Sequence, residues 1–111
     1  RFMEVPIEGT EEVGILVRNL QKGTGPSAEF NFKVEVADSS NCNLNDEQAL
    51  NLVRLGKTGK KLVPVGESSI HRVRLTIPSG SPLCQLRYNV YIYTNDQVYG
   101  TEDFDVEIIP K

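Results

Sequence analysis

The sequence has no tryptophan, one histidine and two cysteines, and it has no long apolar run. A structural zinc site takes four ligands, mostly cysteine and histidine, which is more than this chain offers. No segment approaches the ~18–20 apolar residues of a membrane-spanning helix. A net charge of −3 argues against the clustered basic face that nucleic-acid binding requires. No Asn-x-Ser/Thr acceptor is present, so an N-glycan is excluded for this segment. We therefore expect no nucleic-acid partner, no membrane insertion and no cofactor.

The composition that remains is that of an ordinary globular domain. Hydrophobic residues make up 39% of the chain and charged residues 24%, far from the composition of disordered chains. A length of 111 residues is typical of a single domain. The chain begins abruptly at Arg1 and ends at Lys111, directly after an apolar strand. We expect residues 1–111 to form a single domain that is a segment of a larger protein.

Alternation of apolar and polar residues dominates the pattern. Phe30, Phe32 and Val34, for example, alternate with Asn31 and Lys33, as in a half-buried strand. Clusters of Gly, Pro, Asn and Asp separate such runs, and the one at 95–100 predicts a hairpin. The predicted strands are residues 2–7, 12–20, 28–37, 61–65, 69–78, 85–94 and 99–109. They predict an all-β, seven-stranded antiparallel immunoglobulin-like sandwich, with a small barrel as the alternative.

One interval, residues 45–56, departs from this alternation. Asn45 is suited to cap a helix, with Gln48 completing a capping box and Gly56 taking the left-handed position at the end. We therefore predict one short helix between the third and fourth strands. A strand is the alternative, because Leu50 and Leu52 also follow a period of two.

The two cysteines flank the third and sixth predicted strands. Cys42 follows the third strand and Cys84 precedes the sixth, and these strands are antiparallel neighbours in an immunoglobulin-like sandwich. The two Cα atoms are therefore expected to lie within the distance that a disulfide requires. This predicts a Cys42–Cys84 disulfide, with two buried thiols as the alternative. Such a bridge closes a loop of about 42 residues and stabilises by roughly 4 kcal/mol. It would also indicate an extracellular or cell-surface location.

The sequence carries no catalytic signature. The single histidine, His71, has the inward parity of Val73 and is interpreted as a residue at the edge of the core. No Gly-x-Ser-x-Gly elbow is present, so we predict no enzyme activity and no catalytic residue. Asp38, Asp46 and Glu47 lie in an oxygen-rich stretch. This stretch is interpreted as a capped turn, with a loose calcium site as the alternative.

The outer face of the sixth strand is the first candidate binding surface. Tyr91 and Tyr93 point away from the core there, together with Arg87, and Lys33 of the third strand shares this face. Tyrosine gives contact area at low entropic cost and is common at recognition surfaces. The alternative is ordinary cross-strand packing on a solvated sheet.

The end of the sandwich that carries the predicted hairpin is the second candidate. Gln97 and Tyr99 lie there beside the connection at 22–27 and are predicted to be uncommitted to any core. A basic stretch, GKTGKK at 56–61, is interpreted as a solvated hairpin tip, with an anion or polysaccharide contact as the alternative.

Three segments of the sequence carry a family likeness, and they are ILVRNLQKGTGPSAEFNFKVEV, LVPVGESSIHRVRLTIPSGS and LRYNVYIYTND. Together they resemble the extracellular CARDB-type adhesion modules. The positions that carry the likeness are Asn19, Gly23, Gly25, Pro64, Gly66, Glu67 and Tyr88. This resemblance implies a non-enzymatic adhesion, binding or spacer domain of a surface or secreted protein, acting on a protein partner or a neighbouring domain.

A second likeness involves residues 75–93, LTIPSGSPLCQLRYNVYIY. This stretch is similar to the closing strands of transglutaminase amino-terminal sandwiches. It implies the alternative function, an accessory β-sandwich domain of a larger secreted enzyme, either transglutaminase-like or polysaccharide-active.

Overall fold

The computed structural model describes residues 1–22 and 25–111, and this part of the chain contains eight strands, one 3₁₀ turn and one short α-helix. The strands are β1 (Phe2–Pro6), β2 (Thr10–Arg18), β3 (Ser27–Asp38), β4 (Val53–Leu55), β5 (Thr58–Pro64), β6 (Ser68–Thr76), β7 (Gln85–Thr94) and β8 (Gln97–Ile109). The 3₁₀ turn spans Ser40–Cys42 and the helix, α1, spans Asp46–Leu50. Within these described ranges, no helix is long and apolar enough to cross a bilayer.

The strands form two sheets of unequal size. The larger sheet has the order β1-β8-β7-β3-β5, and the smaller has the order β2-β6-β4. In an immunoglobulin-like sandwich the third, sixth and seventh strands share one sheet, and the second and fifth share the other. The corresponding strands here are β3, β7 and β8 in the larger sheet, and β2 and β6 in the smaller sheet. The prediction of an all-β fold with two sheets and one short helix is confirmed, although the described residues form eight strands rather than seven.

The core lies between the sheets and is filled by the inward-facing residues of the predicted alternation. Phe30, Phe32 and Tyr88 are among its largest fully buried side chains. The smaller sheet contributes mainly aliphatic residues, which are Val13, Ile15, Val17, Val73 and Leu75. Because side chains alternate between faces in a strand, the same period leaves the polar residues on the outside.

The neighbour relation of the third and sixth predicted strands is confirmed. β3 pairs antiparallel with β7 in a register that places Val34 opposite Val90. β7 then turns directly into β8 at Asn95 and Asp96, whose φ angles are 51° and 61°. Two consecutive positive φ angles are those of a type I′ turn, so the predicted hairpin is also present.

The predicted helix is correct at its beginning and wrong at its end. The Asn45 side chain accepts a 2.7 Å hydrogen bond from the Gln48 amide, and the Gln48 side chain accepts one from the Asn45 amide, which is the predicted capping box. The helix stops at Leu50, and the chain continues as β4 along β6, opposite Leu75. Gly56 has the predicted positive φ of 86°, but it follows β4 rather than the helix.

Two further strands differ from the prediction. β1 pairs with β8 in parallel, so the sandwich is not purely antiparallel. The chain crosses to the other sheet at Glu8, where the amide donates to Ile77 O at 2.7 Å. The predicted strand at 61–65 begins earlier, at Thr58, and pairs with β3 as β5. Lys60 and Lys61 therefore belong to an edge strand, and the interpretation of this stretch as a hairpin tip is wrong.

Candidate interaction surfaces

The outer face of the larger sheet carries the two predicted tyrosines side by side. Tyr91 and Tyr93 are half-buried, with ring centroids 6.3 Å apart and planes tilted by 30°. Tyr91 lies opposite Lys33 on β3, and Tyr93 lies opposite Val98 on β8. Val98 is 56% exposed, so apolar surface continues beyond the rings. We call Tyr91, Tyr93, Lys33 and Val98 the tyrosine face.

Two ion pairs lie on this outer surface. Arg87 donates to both carboxylate oxygens of Asp105, at 2.7 Å and 3.3 Å, and Lys33 lies 3.2 Å from Glu35. The hydrogen bond to Arg87 lowers the pKa of Asp105, and the same contact raises the pKa of Arg87. Exposed pairs of this kind contribute little stability and exchange partners readily. The predicted residues Arg87 and Lys33 therefore lie on one surface, each already beside a carboxylate.

Tyr99 is committed to the fold, so its prediction as a free residue at the hairpin end is wrong. Its hydroxyl donates to Arg18 O at 2.6 Å and accepts from the Leu20 amide at 3.2 Å. Its ring meets Phe30 edge-on, with centroids 4.9 Å apart. The register between β7 and β8 shifts at Tyr99, because Ile92 pairs with Gly100 while Tyr93 pairs with Val98. Such a bulge re-aims one side chain, here toward the core.

The connection after β2 does lie beside the hairpin, as the bonds of Tyr99 show. Gln97 is exposed at the start of β8, and Lys22 is exposed in the connection. Residues 23 and 24 of this connection, including Gly23 of the CARDB-type pattern, lie outside the described residues.

The buried side chain of Asn19 also holds the hairpin end of the sandwich together. The sequence pattern indicated Asn19 only as one position of the CARDB-type resemblance. Its side chain is fully buried, donates to Val63 O on β5 at 2.8 Å and accepts from the Gln21 amide at 3.0 Å. It thereby links the end of β2 to the opposite sheet. In the sequence, Asn19 is a polar residue directly after an apolar strand, and this position alone does not show that its side chain is buried.

The opposite end is closed by the predicted disulfide. Cys42 and Cys84 are bonded, with Cα atoms 5.0 Å apart, so the alternative of two thiols is wrong. Tyr88 adds a second link there, because its buried hydroxyl donates to Ala49 O of α1 at 2.7 Å. Burial raises the pKa of Tyr88, so the phenol keeps its proton and remains a donor at neutral pH.

The acidic stretch near this end forms turns. Asp38 accepts from the hydroxyl and the amide of Ser40, and these bonds lower the pKa of its carboxyl. Asp46 accepts from the Ser39 hydroxyl at 3.3 Å, and Glu47 is exposed on α1. Among residues 1–22 and 25–111, no three His, Cys, Asp or Glu side chains converge on a common metal position.

His71 lies in the core edge, as its parity predicts. It stacks on Phe32 with centroids 4.5 Å apart, and its Nε2 lies 2.8 Å from Gly56 O. Because a carbonyl only accepts, Nε2 carries the proton. Gly59 makes room for the ring, since a Cβ there would lie 2.5 Å from Cε1 of His71. The imidazole is thus held by packing and by a backbone carbonyl.

The chain matches no protein-family model and no curated protein sequence. Among solved structures it is similar to a family 123 glycoside hydrolase from Clostridium perfringens, with a TM-score of 0.65 and 10% sequence identity. That match covers 99% of this chain and 23% of the hydrolase chain. The extracellular domains of the voltage-gated sodium channel β4 subunit match with a TM-score of 0.49 and 14% identity, over 100% of this chain and 92% of that chain. The hydrolase match supports the fold, and the CARDB-type resemblance stays a prediction.

Proposed function

We propose that this domain is a non-enzymatic binding, adhesion or spacer module of a larger extracellular or surface protein. We further propose that it contacts a protein partner or a neighbouring domain through the tyrosine face. The proposal rests on a difference in position and hydrogen bonding among the four tyrosines. The hydroxyls of Tyr88 and Tyr99 bond to backbone groups of other elements, whereas the rings of Tyr91 and Tyr93 lie together on an outer face.

The chemistry of the tyrosine face fits recognition of another protein. Two aromatic rings beside the exposed Val98 provide apolar area, and Lys33 provides a charge at the margin. Protein interfaces typically place aromatic anchors at the centre and polar groups at the rim. Both rings are carried by β7, an interior strand of the larger sheet, so they are presented rigidly.

The disulfide supports the extracellular part of this proposal. Disulfides persist in oxidising compartments and are rare in the cytosol. The Cys42–Cys84 bond joins two connections of this small domain. It therefore fits a secreted or surface protein, in agreement with the CARDB-type resemblance.

The test is a double substitution, Tyr91→Ala with Tyr93→Ala, in the 111-residue domain. We expect at least about tenfold weaker association of this domain with its partner or neighbouring domain, because central aromatic anchors dominate interfaces. Calorimetric titration of the domain against the rest of the parent chain measures this. Tyr99→Phe is the matched control and should leave the affinity unchanged. Unchanged affinity in the double variant would remove the tyrosine face as the binding site.

The second candidate function is an accessory domain of a larger secreted enzyme. It is favoured by the similarity in fold to part of a glycoside hydrolase chain. In a parent chain with a catalytic domain, the Tyr91→Ala, Tyr93→Ala variant should lose activity on a polymeric substrate and keep it on a small soluble one. Tandem copies of the 111-residue pattern in the parent chain would favour the adhesion module instead.

A further inference from the structure

β5 forms one edge of the larger sheet, and β3 is its only strand neighbour within the described residues. Two backbone hydrogen bonds show which residues of β5 direct their amides and carbonyls toward β3. The Val34 amide donates to Lys57 O at 2.8 Å, and the Val65 amide donates to Pro26 O at 3.0 Å. In an antiparallel pair, residues alternate between facing the partner and facing away. The amides and carbonyls of Thr58, Lys60 and Leu62 therefore point away from β3, toward the free edge.

The surroundings of this edge are strongly basic, although the chain as a whole is acidic. Two shallow depressions beside β5 are lined by four cationic side chains, which are Arg54, Lys57, Lys61 and Arg72. Among residues 1–22 and 25–111, none of these four forms an ion pair. Lys60 approaches Glu29 only at 4.0 Å. These cations lie close together in a chain whose net charge is −3.

Exposed apolar side chains adjoin the same backbone groups. Leu62 on β5 is 71% exposed, Leu55 is 46% exposed and Ile70 is 44% exposed. Leu55 and Ile70 line one of the two depressions, together with Lys61 and Arg72. A strand lying along β5 would cover these side chains and pair with the free backbone groups.

The charge selects the kind of strand that can bind. A second copy of β5 would bring its own lysines against Lys60 and Lys61, and like charges across a strand pair are destabilising. Lysine on an edge strand is a known means of preventing self-association. An acidic strand meets no such penalty and gains charge partners in Lys60 and Lys61.

We propose that the β5 edge binds an extended acidic segment of a partner protein as an added strand of the larger sheet. The segment carries acidic residues facing Lys60 and Lys61 and an apolar residue facing Leu62. Main-chain hydrogen bonds provide the affinity, and the alternating side chains provide the specificity. Pro64 at the end of β5 has no amide hydrogen and limits the length of the added strand.

The test uses the intact 111-residue chain and an acetylated, amidated octapeptide of threonine around the central run Glu-Glu-Leu-Glu-Glu. Adjacent glutamates are needed because Lys60 and Lys61 lie on opposite faces of β5. We expect binding with at least about tenfold slower amide exchange at Thr58, Lys60 and Leu62, while Gly59 and Lys61, already paired with β3, change little. The peptide with lysine in place of glutamate is the matched control and should not bind. Equal binding of both peptides, or binding without slowed exchange at these three amides, would overturn the proposal.

Two variants separate the backbone contribution from the charge contribution. Leu62→Pro removes an outward amide without affecting the bonds to β3, and we expect it to abolish binding while Leu62→Ala retains it. Lys61→Glu combined with Arg72→Glu should weaken binding by about tenfold. Leu62→Pro that binds normally would overturn strand addition.

Other occupants give different signals. A sulfated oligosaccharide that binds more tightly than the octapeptide, without slowing exchange of the three amides, would show a glycan site instead. A concentration-dependent dimer in sedimentation, with those amides protected in the absence of peptide, would show self-pairing instead. The Tyr91→Ala, Tyr93→Ala variant should bind the octapeptide normally, so a failure here is distinguishable from a failure of the proposed function.

Discussion

The two ends of the sandwich are closed by different kinds of interaction. At one end a covalent bond joins Cys42 to Cys84, and Tyr88 donates to Ala49 O of α1. At the other end the closure is made by hydrogen bonds, from the buried Asn19 to Val63 O and from Tyr99 to Arg18 O. Each end uses one tyrosine to hold elements together.

This difference bears on where binding can occur. The disulfide end carries the long connection between β3 and β4, which must cross from one sheet to the other and contains α1. The hairpin end has a tight two-residue turn, and both side-chain and backbone hydrogen bonds close it. Both ends are occupied by structural contacts, and the two surfaces that we propose for a partner, the tyrosine face and the β5 edge, lie between them.

The largest expected effect is at the disulfide. Replacing both Cys42 and Cys84 by alanine should lower the free energy of unfolding by about 4 kcal/mol, because the crosslink no longer restricts the unfolded chain. Urea unfolding measures this, and the wild-type chain under reductant is the matched control. A loss below about 1 kcal/mol would mean that packing alone holds this end.

The next effect is expected at the hairpin end. Asn19→Ala should cost about 2 kcal/mol, since the carbonyl of Val63 loses a buried donor and the Gln21 amide loses its acceptor. The same unfolding experiment measures it. Asn31→Ala, on the outer face of β3, is the matched control and should stay within about 0.5 kcal/mol. Equal losses in the two variants would contradict the role assigned to Asn19.

Tyr88 at the disulfide end and Tyr99 at the hairpin end allow the two ends to be compared directly. Tyr88→Phe should cost about 1 kcal/mol, because the hydroxyl is buried but Ala49 O keeps backbone donors. Tyr99→Phe should cost about 0.5 kcal/mol, since water can reach its partners, but it should speed amide exchange at Leu20. Tyr91→Phe serves as the control for both. Unchanged exchange at Leu20 would contradict the link made by Tyr99.

The smallest effect is expected from the Arg87–Asp105 pair near the disulfide end. The pKa of Asp105 is lowered in the folded protein, so its contribution is present above pH ~4 and is lost as the pH falls through the folded pKa. Asp105→Asn should therefore lower the stability slightly at pH 7 and change it little at pH 2–3, which flattens the acid side of the stability profile. Unfolding midpoints between pH 2 and pH 7 measure this, with Asp103→Asn as control. A larger change at pH 3 than at pH 7 would have the wrong sign.

Much of the fold could be predicted because the determining signals are local. The alternation of Phe32 and Val34 sets their inward direction, and the Asn45–Gln48 capping box sets the beginning of α1. The disulfide followed from one topological step, the pairing of β3 with β7. These features depend on short-range chemistry or on a single neighbour relation.

The remaining features depend on contacts that the pattern does not encode. Val53–Leu55 alternates as a strand and also fits a helix, and pairing with β6 decided between them. The alternation in β1 is the same for parallel and antiparallel pairing. Tyr99 turned inward because of one extra residue in the ladder, which inverts the parity counted from β8.

The most direct measurement is hydroxyl-radical oxidation of the four tyrosines in the parent protein and in the isolated 111-residue chain. The proposed tyrosine face predicts that oxidation of Tyr91 and Tyr93 falls strongly in the assembled parent, while Tyr88 and Tyr99 react equally in both samples. Equal oxidation of Tyr91 and Tyr93 in the two samples would contradict it and leave their rings as ordinary packing on a solvated sheet.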